Sequence, residues 1–84
     1  MFLKYEHIPK IVNLDNFDCI TVVPSKPILP GTWKVVATRA AGQQNNPYAE
    51  TCLIKEFSKK KDALAFYIDL EEAWLNKNEI FSIN

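Results

Sequence analysis

Residues 58–77, SKKKDALAFYIDLEEAWLNK, limit what this chain can fold into more than any other stretch. At about 100° per residue, Ala63, Phe66, Tyr67, Leu70, Ala73 and Trp74 share one face, the three-and-four recurrence of an amphipathic helix. No Gly or Pro interrupts it, and Ala, Leu, Glu and Lys are good helix formers. Ser58 reads as the N-cap, because its hydroxyl can accept an amide hydrogen of the first turn. The reciprocal glutamate of a capping box is missing, with Lys61 in its place.

The same helix carries a second apolar stripe, Leu64, Ile68 and Leu75, separated from the first by Glu71. These side chains sit roughly 100–140° round the axis from Ala63 and cannot share its sheet-facing side. Two readings are open. In one, the C-terminal Ile80-Phe81-Ser82-Ile83 or the N-terminal Phe2-Leu3 folds over the stripe. In the other, the stripe meets another protein chain, with Glu71 at the rim beside a lysine of the partner. An isologous two-fold contact needs only one self-complementary patch, which favours a homodimer within the second reading.

Eighty-four residues have room for one core, so residues 1–84 are expected to form a single domain. Its expected parts are an arm or edge strand over 1–9, a sheet over 10–57, the helix over 58–78 and a tail over 79–84. Ten aromatic residues and nearly half the chain apolar suffice for that core without metal or disulfide staples. Ten basic residues balance ten acidic ones, leaving no overall field to steer the chain to nucleic acid or membrane. The same balance leaves little repulsion between copies. No run is long enough for a transmembrane span, and MFLKYEHIPK lacks the pattern of a secretory signal, so the expected compartment is the cytoplasm. There Cys19 and Cys52 are expected to be reduced and buried.

Upstream of the helix the pattern changes to strands. Ile11–Leu14 is short and β-rich, and Asp15-Asn16 is turn chemistry. Residues 17–23 alternate, with Phe17, Cys19, Thr21 and Val23 opposed to Asp18, Ile20 and Val22. Pro24, Pro27 and Pro30 make an extended connector ending at Gly31, with Ile28 and Leu29 at its tip as a contact surface. Over 32–41, Trp33, Val35, Ala37 and Arg39 point one way and Lys34, Val36, Thr38 and Ala40 the other. Residues 42–47 form a polar loop, and 48–57 a last strand whose imperfect alternation implies a bulge. The order predicts an α+β fold: an antiparallel four-stranded meander followed by one C-terminal helix packed on one face of the sheet.

Ile11-Val12-Asn13-Leu14-Asp15-Asn16, the Trp33-x-Val35 strand, Leu53, Phe57-Ser58 and Ala63 together resemble a loose group of short bacterial and phage-type proteins. The similarity spans about residues 11–75, and the proline connector and the 42–47 loop depart from it. It implies the four-strands-then-helix order and no functional residue.

For catalysis, one histidine (His7), two isolated cysteines and scattered carboxylates offer no nucleophile–base pair by spacing. No phosphate loop, dinucleotide fingerprint or paired-cysteine zinc spacing occurs, so no metal or cofactor is expected and the chain does not read as an enzyme. Lys59, Lys60 and Lys61 stand at the positive end of the helix dipole, where cations are locally unfavourable. They mark either a solvated run or a site for an anion or an acidic partner. Lys34, Arg39 and Lys55 near Trp33 and Tyr48 would extend that site to nucleic acid. The leading reading is a small non-enzymatic protein–protein interaction module, homodimeric through the helix stripe. The alternative is a nucleic-acid or anion-binding protein using Lys59–Lys61.

Overall fold

A computed structural model provides the architecture and describes residues 1–26, 28, 31–39 and 50–84. In chain order these form β1 (Phe2–Tyr5), β2 (Ile11–Asn13), a 3-10 turn (Leu14–Asn16), β3 (Cys19–Pro24), β4 (Trp33–Arg39), β5 (Glu50–Phe57), α1 (Lys60–Leu75) and β6 (Ile80–Ile83). The α+β class is as the sequence predicts. The four-stranded meander is not: among the described residues the strands form two three-stranded sheets, β2-β1-β6 and β3-β4-β5.

The reason lies at Asn13. Its side chain accepts from the Asp15 amide at 3.1 Å, starting the 3-10 turn. The Leu14 amide donates to the Met1 carbonyl at 2.9 Å, and the Leu14 side chain is fully buried. Those bonds fold Ile11–Asn13 back on β1, antiparallel, instead of onward to β3. The tail completes this first sheet by pairing parallel to β1, Leu3 opposite Phe81 and Tyr5 opposite Ile83. Alternation then sends Leu3, Tyr5, Phe81 and Ile83 inward and Phe2, Lys4, Ile80 and Ser82 outward.

The second sheet is the antiparallel meander β3-β4-β5. Trp33, Val35 and Ala37 face the core as their alternation requires, with Ile20 and Val22 beside them. On β5 the register shifts between Val35 and Val36: Val35 pairs with Lys55, Val36 with Leu53, and Ile54 is the extra residue. The bulge lets Cys52, Ile54 and Phe57 all reach the core. It also turns Leu53 to the opposite, exposed face, away from the helix. The Ile54 carbonyl accepts from the Tyr5 hydroxyl at 2.8 Å, which joins the two sheets. Burial and the neighbouring Cys52 raise the Tyr5 pKa above its ordinary value.

Helix α1 lies on the inner face of β3-β4-β5, burying Ala63, Leu70 and Ala73. Phe66 packs between the sheets, its ring centroid 5.3 Å from Phe57 and 5.8 Å from Phe81. The N-cap falls at Lys59, one residue later than the Ser58 that the sequence suggests. Phe57 is still paired with Trp33, so Ser58 and Lys59 are used in the turn. Lys59, extended at φ −128°, is the N-cap and makes no side-chain cap bond.

At the other end, the Asn78 amide donates to the Ala73 carbonyl at 3.0 Å and the Lys77 amide to Trp74 at 3.1 Å. That is a Schellman cap, and it holds Lys77 at φ 59°. A lysine in the left-handed region is strained, where glycine is not. Lys77→Gly is therefore expected to raise unfolding stability by about 0.5–1 kcal/mol, read from the urea midpoint. A loss of stability would show that the Lys77 side chain holds the cap.

Candidate interaction surface

Three of the sequence-predicted site residues come together on the solvent side of α1. Leu64, Ile68 and Leu75 are 39%, 57% and 75% exposed. Neither terminal segment covers them: Phe2–Tyr5 and Ile80–Ile83 are paired with each other, and Ile83 fills the core instead. The covering role considered for the tail is thus corrected. The tail's alternating apolar residues find a strand partner in β1, which a helix surface does not offer.

Charge is divided along the helix. Lys59, Lys60 and Lys61 stand at its start with Asp62, while Asp69, Glu71 and Glu72 follow in its second half, whose last turn has no base. Two of these groups already have partners in the chain. The Lys60 ammonium lies over the Trp33 ring, 5.0 Å from its centroid. The Tyr67 hydroxyl donates to the Glu71 carboxylate; that bond first, then burial and the neighbouring Glu71 and Cys19, raise the Tyr67 pKa. The lysine run is therefore not a cluster of three equivalent cations. Lys59 and Lys61 remain exposed for an anion, with Asp62 beside them.

The proline connector is closed at its base, where the Ser25 amide donates to the Thr32 carbonyl at 2.9 Å and the Thr32 amide to the Ser25 hydroxyl at 3.1 Å. The Thr32 hydroxyl also donates to the Glu56 carboxylate. Ile28 is 78% exposed. Leu29 lies outside the described residues, as do Tyr48 and the 42–47 loop.

The remaining sequence candidates are dispersed. His7 is exposed. Cys19 is exposed and not buried as the sequence suggests, because alternation in β3 gives the inner face to Ile20 and Val22. Cys52 is half-buried, packed against the core, and the two thiols stand on strands separated by β4. Among the described residues no group of three His, Cys, Asp or Glu is placed to hold a metal ion, and no helix is long and apolar enough to cross a membrane. An open cleft of about 810 Å³ lies between Phe2, Trp74, Lys77 and Ile80, and there the Asp15 carboxylate is held by the Met1 amine at 2.8 Å.

One apolar surface escapes the sequence reading. The outer face of β2-β1-β6 exposes Phe2, Ile11 and Ile80, with Phe2 and Ile80 directly paired. The signal was there in the alternation of Phe2-Leu3-Lys4-Tyr5 and of Ile80-Phe81-Ser82-Ile83, but neither strand is long enough to be read without its partner. This face lacks the ordered charge that borders the helix stripe. No family model, curated protein or solved structure matches the chain.

Proposed function

We propose that the chain is a small, non-enzymatic interaction module that works by protein–protein contact through the outer face of α1, and that it associates with itself. The observation that carries this reading is the stripe Leu64, Ile68 and Leu75, exposed on a helix whose opposite side buries Ala63, Leu70 and Ala73. Apolar residues aligned on one exposed helix face mark a contact surface more than scattered single ones do. Zero formal net charge removes the repulsion that would oppose association of identical copies. Ile28, exposed at the connector, is a second, smaller contact point.

The test is Ile68→Glu, which places a charge at the centre of the stripe. The wild type should be a dimer at high protein concentration by light scattering. The variant should be a monomer with unchanged circular dichroism, because Ile68 contributes little to the core. A wild type that stays monomeric at high concentration defeats the self-association.

A further inference from the structure

We infer that the partner of the helix stripe is a second copy of α1 running antiparallel, with the two-fold axis passing at Ile68 and Lys61 of each copy paired with Glu72 of the other. This inference rests on the self-association proposed above and adds its orientation and its polar contacts.

The argument begins with an arrangement that is unfavourable in the isolated chain. Cations at a helix start and carboxylates near its end both oppose the macrodipole, yet α1 has Lys59, Lys60 and Lys61 at the first and Glu71 and Glu72 near the second. Lys60 and Glu71 are engaged by Trp33 and Tyr67. Lys61 and Glu72 are both exposed, and both lie within about 40° of Ile68 round the axis, on the same flank of the stripe.

A two-fold axis that makes the helices antiparallel brings like flanks together. With Ile68 set against Ile68, Lys61 lies seven residues before the axis and Glu72 four after it. At 1.5 Å per residue the two differ in height by about 4.5 Å, less than one turn and within reach of a lysine side chain. Leu64 and Leu75 stand at the same offset of about 4.5 Å from each other across the axis, so all three stripe residues find apolar partners. The parallel arrangement puts Lys61 level with Lys61 and Glu72 level with Glu72. It also puts the two copies of that flank on opposite sides of the seam, so neither Lys61 nor Glu72 meets an opposite charge there. The charge order that is unfavourable within one helix is complementary between two antiparallel ones.

Four proteins decide the matter: wild type, Lys61→Glu, Glu72→Lys, and the variant carrying both changes. Their dimer dissociation constants are measured by sedimentation at low salt. Each single reversal sets like charges together at both symmetric contacts and should weaken the dimer about tenfold. The doubly reversed protein should return to within about threefold of wild type, since both pairs are restored with exchanged signs. Each single change also puts the sign that suits the helix dipole at its end, so thermal stability should not fall. Weakening with undiminished stability separates a lost contact from a damaged fold. If the dimer constants of both single variants stay within threefold of wild type, or the double variant is as weak as the singles, the antiparallel pairing is wrong while the dimer stands. A monomeric wild type instead removes the self-association itself, and this inference with it.

Discussion

Leu70→Ala should lower the free energy of unfolding by about 2–5 kcal/mol, towards the upper end of what buried leucines lose on truncation. Leu70 is completely buried in one cluster with Val35, Ala37, Ile54, Ala63 and Ala73. The cost of such a change depends on how far the surroundings collapse into the space left behind. The buried cluster that holds it includes three alanines, Ala63 and Ala73 on the same helix and Ala37 on β4, with no side-chain length to move inward. Much of the cavity should therefore persist. A domain of this size has a total stability on the order of 5–10 kcal/mol, so a loss of about 5 kcal/mol would remove half of it or more. Urea titration should show a lower midpoint with an unchanged slope. A loss below about 0.5 kcal/mol is typical of surface sites and would place Leu70 outside the core.

The parts of the fold legible in the sequence are those whose pattern is long enough to be self-sufficient. Ala63, Phe66, Leu70, Ala73 and Trp74 recur over more than three turns, and that face does pack inward. Trp33, Val35 and Ala37 alternate across most of a strand and are likewise inward. What the sequence does not disclose is which short strand pairs with which. Ile11–Asn13 has three residues, and its pairing with β1 and not β3 is set by the Leu14–Met1 bond and the Asn13 cap. Such bonds join residues far apart in the chain or depend on one turn's geometry, so no local pattern announces them. The bulge at Ile54 is an intermediate case. Imperfect alternation signals it, but only the register with β4 shows that Leu53, and not Phe57, loses its place on the core side.

The candidate site was legible in a different way. Leu64, Ile68 and Leu75 could be separated from the core face by angle alone, since helix geometry fixes that angle. Whether the stripe was covered was not a local question. It turned on the destination of Ile80–Ile83, and a four-residue segment can be strand or cover with equal ease. Lys60 shows the same limit on a smaller scale. Nothing in a run of three lysines distinguishes the middle one, and its place over Trp33 comes from the register that ends β5 opposite the start of β4. The outer face of β2-β1-β6 is not legible in the sequence because its apolar members, Phe2, Ile11 and Ile80, come from three separate segments.

The destination of that tail supplies the other large effect. Ile83→Asp should cost on the order of 4 kcal/mol or more, whereas Ile80→Asp, three residues earlier on the same strand, should stay within about 0.5 kcal/mol of wild type. Ile83 is buried in the cluster with Leu3 and Leu14, while Ile80 is exposed on the outer face. A carboxylate at position 83 would lose its hydration among apolar neighbours. Burial would raise its pKa in the folded state above the unfolded value of about 3.9. The sign of the pH dependence follows. A group held at a raised pKa in the folded state leaves stability intact below the unfolded pKa and removes it as pH rises beyond. The deficit of Ile83→Asp against wild type should thus be full at neutral pH and shrink as pH falls toward about 4. The comparison also fixes the register of β6, because a slip of one residue exchanges the two faces of a strand. In the slipped register Ile80 and Ser82 would point inward and Ile83 outward. A severe loss for Ile80→Asp with a mild one for Ile83→Asp would show that register, and it would displace Phe81 from its contact with Phe66. The order expected from the pairing of Tyr5 with Ile83 is the opposite.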